Sequence, residues 1–145
     1  MEERVLVSRD ESILRDILEE HALNPFGQGS ITKPTHNAEW ISPKTGNICR
    51  VQMRMENDRM VDLVANVQGS ALAKACASIM CATLEGSELR STRSTLSEIK
   101  EWVENGKSPQ EWVGDLRVYQ SIVHYPERVD CAMLCWRALG EALAD

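Results

Sequence analysis

NICRVQMRMENDRMVDLVANVQG, residues 47–69, alternates apolar and polar side chains through two runs joined by a polar turn. In the first run Cys49, Val51, Met53 and Met55 share one face while Arg50, Gln52 and Arg54 share the other. In the second, Val61, Leu63, Ala65 and Val67 line up. A period of two marks a half-buried strand, and ENDR (56–59) is turn chemistry, so the stretch predicts an antiparallel hairpin with one wet face. Upstream, HNAEWIS (36–42) is short but predicts a third strand.

On either side the period changes. From Ser70 the apolar residues Leu72, Cys76, Ile79, Met80 and Thr83 recur at helical spacing, and Gly86 ends the run. Before the sheet, SRDESILRDILEEH (8–21) pairs Ser8 with Glu11 as a capping box and sets Ile13, Leu14, Ile17 and Leu18 on one face, which predicts a helix to about Ala22. The glycines and prolines of 25–34 then mark a loop. After the sheet, STLSEIKEWVENG (94–106) predicts a helix facing inward with Leu96, Ile99, Trp102 and Val103. SPQEW (108–112), with Ser108 as cap and Pro109 in the first turn, predicts another, broken at Gly114 and Asp115. A short helix, a break at Pro126 and a terminal helix with Ala132, Cys135, Trp136, Leu139 and Leu143 inward complete the chain. The expected fold is α+β: a three-stranded antiparallel sheet with helices packed on one face and the N-terminal helix before the sheet, in a single domain over 1–145.

Composition removes several function classes. Sixteen basic against twenty-two acidic residues leave a net charge of −6, and no Lys/Arg block tracks a phosphate backbone, so nucleic acid is not an expected partner. No apolar run reaches the twenty or so residues that span a bilayer, so no membrane partner is expected. The first residues lack the basic-then-apolar layout of a secretory signal, which predicts a cytoplasmic protein with reduced thiols. Five cysteines, an odd number, argue against a disulfide framework. There is no phosphate loop, His-Glu-x-x-His, Cys-x-x-Cys or nucleophile elbow, so a catalytic role is not expected. His21, His36 and His124 fall at a helix end, in a loop and in a helix, where surface or helix-end roles are expected.

Four segments carry a resemblance. ILRDILEEHALNPFGQG, SPKTGN, VQGSALAKACASIM and HYPERVDCAMLCWRAL, in that order from about Ile13 to Leu143, are similar to the iron–sulfur cluster scaffold family that includes SufU, IscU and the N-terminal domain of NifU. The ending, an aromatic–proline pair, then Arg-Val, a cysteine and an alanine-rich helix with tryptophan, resembles the SufU type. The resemblance implies a scaffold or sulfur carrier for cluster assembly, an iron–sulfur cluster or zinc as bound group, and a cysteine desulfurase as partner. It implies that three cysteines and an aspartate converge at one end of the molecule. Those positions fall on Thr45 for the first cysteine, Asn47 for the aspartate, Ser70 for the second cysteine and Cys131 for the third.

Only Cys131 keeps the family's ligand type. Thiolates bind soft and borderline metals because sulfur gives up its proton readily and donates strongly; neutral hydroxyls and an amide oxygen do neither. A structural zinc takes four such ligands, so a conventional metal or cluster is expected to be weakly held or not held. The other thiols offer little. Cys81 stands about 16 Å along the helix from Ser70 at 1.5 Å per residue. Cys76 and Cys135 belong to inward stripes. Cys49 shares strand parity with Asn47 and is the auxiliary thiol with a geometric claim, although its alternation favours burial. Cys131, expected near a helix start that favours the thiolate, is the sulfur-acceptor candidate. Asp130 beside it opposes that charge and is an auxiliary oxygen ligand for a weakly held metal. Two classes of function remain open: a scaffold or carrier using Cys131, and a non-catalytic interaction protein that keeps the fold without the cluster. No heptad seam sets an oligomeric state.

Overall fold

The central hairpin forms as its alternation requires. In the computed structural model, which describes residues 2–144 and side chains from Glu11 onward, β2 (Ile48–Glu56) and β3 (Arg59–Gln68) pair antiparallel. The turn between them is two residues, Asn57 and Asp58, both at positive φ (52° and 61°). That geometry matches the strand twist, and Asn and Asp are the non-glycine residues that tolerate it best. β1 (His36–Ile41) pairs antiparallel with β2, giving the order β1-β2-β3 and the expected third strand.

Helices cover one face, as the alternation predicts. Cys49, Val51, Met53, Leu63 and Ala65 are buried against α2 (Ala71–Leu84) and α5 (Pro126–Leu143). One strand residue departs from its predicted side. Register shifts between Arg54 and Met55, so that Met55 faces Met60 and Val61 becomes the extra residue of a bulge. Met60 is therefore the buried side chain and Val61 is half-buried.

α2 is the central helix: residues 75–81 are buried without interruption, because the sheet, α5 and α1 (Glu2–Leu23) pack around it. A stripe was expected; the middle of the helix is instead enclosed, while Thr83, expected inward, is exposed and donates its hydroxyl to Ile79 O at 2.7 Å. α1 starts at Glu2, so Ser8 lies inside the helix rather than at its cap, and the side chain of Ser8 lies outside the described residues. Ile13, expected inward, is 49% exposed, while Leu14, Ile17 and Leu18 pack on the core. α3 (Leu89–Val103) begins five residues before the predicted start and buries Thr92, Ile99 and Val103.

The helix predicted over SPQEW does not form. Tertiary packing overrides its start signals: Trp112 sits edge-on to Trp102 at 5.4 Å and stacks on Tyr119 at 6.5 Å, which holds this segment extended. Gly114 and Asp115, predicted to break a helix, open a 3₁₀ segment (Gly114–Val118) leading into α4 (Tyr119–Ile122). α5 begins at Pro126 and buries Ala132, Cys135, Trp136, Leu139 and Leu143 as expected. No described helix is long and apolar enough to cross a membrane.

Where these helices meet, the Trp136 Nε1–H donates to Tyr119 Oη at 2.7 Å and Tyr119 in turn donates to Ala132 O at 3.3 Å, all buried. Removing the hydroxyl strands a buried indole N–H. Tyr119→Phe is expected to lower stability by about 1–3 kcal/mol in urea unfolding without changing the slope. The double variant with Trp136→Phe should lose less than the two single losses added together.

Candidate functional site

Between β1 and β2 the chain turns on Ser42. Its N–H donates to Asn47 O at 2.8 Å and its carbonyl accepts from Gly46 N–H at 2.9 Å, with Gly46 at φ 79°, where a side chain would be strained. The Ser42 hydroxyl oxygen accepts from the backbone N–H groups of Lys44 and Thr45 at 3.1 and 3.2 Å and donates its own proton to Asp130 Oδ2 at 2.6 Å. Asp130, 5% exposed on α5, takes Arg137 Nη1–H on its other oxygen at 2.9 Å, and Arg137 reaches Glu104 at 3.5 Å. Ser42 and Asp130 thereby fasten the 42–47 turn to α5.

This clamp sets Asn47 against Cys131, two of the positions singled out in the sequence. Asn47 Nδ2 donates to Cys131 Sγ at 3.7 Å, within hydrogen-bonding range for sulfur. Asn47 N–H donates to Thr45 Oγ1 at 3.1 Å. The Asn47 side chain also lies against Gly69: a Cβ there would come within 2.2 Å of Asn47 Oδ1, and Gly69 holds φ 145°. Gly69 leads into Ser70, the N-cap of α2, whose hydroxyl accepts from Ala73 N–H at 3.1 Å. Thr45, Asn47, Ser70 and Cys131 thus occupy one end of the molecule, with Thr45 exposed and the other three half-buried.

The hydroxyl and carboxylate oxygens at this end have work in the fold. Thr45 Oγ1 accepts from Asn47 and Ser70 Oγ caps α2, while the amide of Asn47 presents an N–H, not a lone pair, to Cys131. Asp130 has both carboxylate oxygens engaged by Ser42 and Arg137. Among the described residues, no three His, Cys, Asp or Glu side chains gather as a metal-binding group. Zinc fits this donor set poorly, since three of the four positions supply neutral groups and one of those faces the site with a proton.

The thiols divide sharply. All five are free, and Cys49, Cys76, Cys81 and Cys135 are buried. Burial pushes Cys49 up to about 12. Cys76 also rises to about 12 through burial, partly offset by a hydrogen bond with Tyr119. Cys81 reaches about 12 through burial and then the neighbouring Cys49, and Cys135 is raised well above the usual thiol range, again by burial first. These four are protonated packing groups at neutral pH. Cys49 lines the core beside Val51, and Asn47, expected to share its strand face, lies before β2 begins at Ile48. Cys131 alone is half-buried, and it sits in the second turn of α5.

His21 lies in the last turn of α1, the helix-end place expected of it, but it is not at the surface. It is 6% exposed, with Nδ1 at 2.7 Å from Ser78 Oγ and Nε2 at 2.7 Å from Asp115 Oδ2. Ser78 is fully buried and also accepts Phe26 N–H at 2.8 Å, so the Ser-His-Asp arrangement is a latch joining α1, α2 and the 3₁₀ segment, closed to substrate. His36 opens β1 rather than lying in the preceding loop, and its Nδ1 meets Thr35 Oγ1 at 2.9 Å. His124 is exposed in the turn after α4, not in a helix. Ser42 and Arg137 were missed by sequence reasoning. A Ser-Pro-x-Thr-Gly turn is a local signal for the first, and an arginine two helical turns beyond Asp130 for the second.

Comparison with known proteins gives a consistent picture. A family model described as the NifU-like N terminal domain matches residues 14–145. The chain is 25% identical over 136 residues to a protein of Bacillus subtilis (strain 168) named zinc-dependent sulfurtransferase SufU, covering 92% of this chain and 91% of that protein. It is 20% identical over 128 residues to the iron–sulfur cluster assembly scaffold protein IscU of Streptococcus pyogenes serotype M1, covering 88% and 80%. The fold is shared with a putative SUF-system scaffold from Fervidobacterium islandicum AW-1, at TM-score 0.80 and 18% identity over 88% of this chain and 94% of that one. It is also shared with the N-terminal part of a nitrogen-fixing NifU-like protein from Brucella abortus, at TM-score 0.77 and 22% identity over 88% and 89%.

Alkylation of the native protein at neutral pH is expected to give a single adduct, on Cys131, by intact mass and peptide mapping, with the other four thiols reacting only in denaturant. Native Cys49, Cys76 and Cys81 keep their protons up to about 12, whereas the unfolded chain releases them near 9.0. Above that value the unfolded state binds fewer protons, so stability should be full below pH 9 and fall from there toward 12. The slope is about 1.4 kcal/mol per pH unit for each such thiol. Denaturant midpoints across this range measure it.

Proposed function

The chain belongs to the NifU-like N-terminal domain family, and from that premise we propose that it serves iron–sulfur cluster assembly as a sulfur carrier on Cys131, with no resident zinc and no conventionally ligated cluster. The observation that carries the reading is one half-buried thiol, Cys131, facing the Asn47 amide N–H, with the Thr45 and Ser70 hydroxyls already hydrogen-bonded to backbone N–H groups. The side chains there suit a reactive sulfur better than a metal.

The SufU relative is named a sulfurtransferase and the IscU relative a cluster assembly scaffold. Sulfur carriage on Cys131 takes the first activity without the zinc in its name, and it revises the expectation of a role free of any catalysis. A cysteine desulfurase is the proposed sulfur source. The alternative, an interaction protein that keeps the scaffold's shape without handling sulfur, is favoured by one feature: the site closes on its own hydrogen bonds, so nothing need be bound for it to stand.

Two measurements separate the readings. After incubation with cysteine and a desulfurase, intact mass should rise by one sulfur atom in the wild-type protein and not in Cys131→Ser; no gain in the wild type favours the interaction protein. Anaerobic reconstitution with iron and sulfide should leave no stoichiometric cluster absorbance, and a stable cluster that disappears in Cys131→Ser would refute the metal-free reading.

A further inference from the structure

We propose that the Asn47 amide is the group that lets Cys131 hand its sulfur on: its N–H donates to the Cys131 sulfur and takes up the negative charge that appears there on discharge. The inference rests on the carrier reading above and names the residue that tunes it.

Asn47 has little freedom to do anything else. Its backbone N–H is tied to Thr45 Oγ1, and the 42–47 turn that presents it is clamped to α5 through Ser42 and Asp130. Its side chain lies over Gly69, where any larger residue would collide with the amide oxygen. With the oxygen end lying against Gly69, the Nδ2 end meets Cys131 Sγ at 3.7 Å. A sulfur that carries negative charge can only accept a hydrogen bond, so the NH2 end of the amide is the end suited to face it. The family's carboxylate at this position would repel the same charge unless a cation stood between them. Asparagine needs no cation, and its presence is consistent with the missing thiolates at positions 45 and 70.

The transfer balances without any outside oxidant. In loading, the Cys131 thiolate attacks the outer sulfur of a donor persulfide; the new Sγ–S bond forms, the donor's S–S bond breaks, and the donor leaves as a thiolate. In discharge, an acceptor thiolate attacks the outer sulfur on Cys131. The Sγ–S bond breaks and its electron pair stays on Sγ, 3.7 Å from the waiting N–H. A preformed donor aimed at a developing charge stabilises the transition state of the step that creates the charge. It therefore favours discharge, where Sγ is the leaving group. In loading Sγ is the nucleophile, and the same hydrogen bond quiets it. The two steps should respond to its loss with opposite sign, which a merely structural role would not produce.

The test loads full-length protein with glutathione persulfide and discharges it into excess dithiothreitol, following both by intact mass. Asn47→Ala is expected to discharge about tenfold more slowly, less than the roughly hundredfold or more for losing an enclosed donor, because the site is half open to water. It should load no more slowly than the wild type and keep its thermal midpoint within a few degrees. Asn47→Asp, which keeps the shape without the donor, should discharge at least as slowly under chelator, and it decides the matter if the alanine variant does not fold. Wild-type discharge rates in both variants, or equal slowing of both steps, would overturn the role of Asn47 while leaving the carrier reading intact. Failure of the wild type to load at all would remove the carrier reading and this inference together.

Discussion

A carboxylate buried in the first turns of α5 organises the end of this molecule. Asp130 takes the Ser42 hydroxyl on one oxygen and the Arg137 guanidinium on the other, at 2.6 and 2.9 Å, across 88 residues of sequence in the first case. A buried carboxylate without such partners would be costly, so the turn must come to it or the fold must change. Once Ser42 is held, its own backbone bonds with Gly46 and Asn47 define the rest of the turn. Asn47 then has one direction to point, toward Cys131.

The consequence is a site whose geometry does not depend on a bound ion. In a zinc site the metal is commonly the strongest local organiser, and removing it loosens the ligand loops. Here Ser42, Asp130, Thr45 and Ser70 supply the restraints through hydrogen bonds, which engage the hydroxyl and carboxylate oxygens that could have served as ligands. A metal would have to displace those bonds to gain weak neutral donors. A thiol that accepts a sulfur atom needs none of that: it needs access, a fixed position and a neighbour that tolerates charge. Cys131 has the first two from α5 and the third from Asn47.

Much of the fold was legible because the hairpin carries its own pattern. The period of two in residues 48–67 predicted two strands and their buried face, and the turn residues between them predicted the connection. The one strand error, Val61 for Met60, comes from a bulge, which alternation cannot announce. Helix starts were less legible where tertiary contacts compete: SPQEW has sound capping signals, yet Trp112 gains more by packing on Trp102 and Tyr119. The site divided the same way. The resemblance put Thr45, Asn47, Ser70 and Cys131 on one list of positions, and the fold brings them to one end. The long-range bonds were not legible: Ser42 on Asp130 at that end, and Ser78 with Asp115 on His21 elsewhere in the fold, join residues 57 to 94 positions apart, beyond the reach of any local spacing rule.

The account holds that this end is built in the right shape and lacks only strong donors. Zinc content of the purified triple variant Thr45→Cys, Asn47→Asp, Ser70→Cys, measured beside the unaltered protein, tests that most directly. The account predicts stoichiometric zinc in the variant and a trace in the parent. A parent that carries stoichiometric zinc, or a folded variant that carries none, would contradict it.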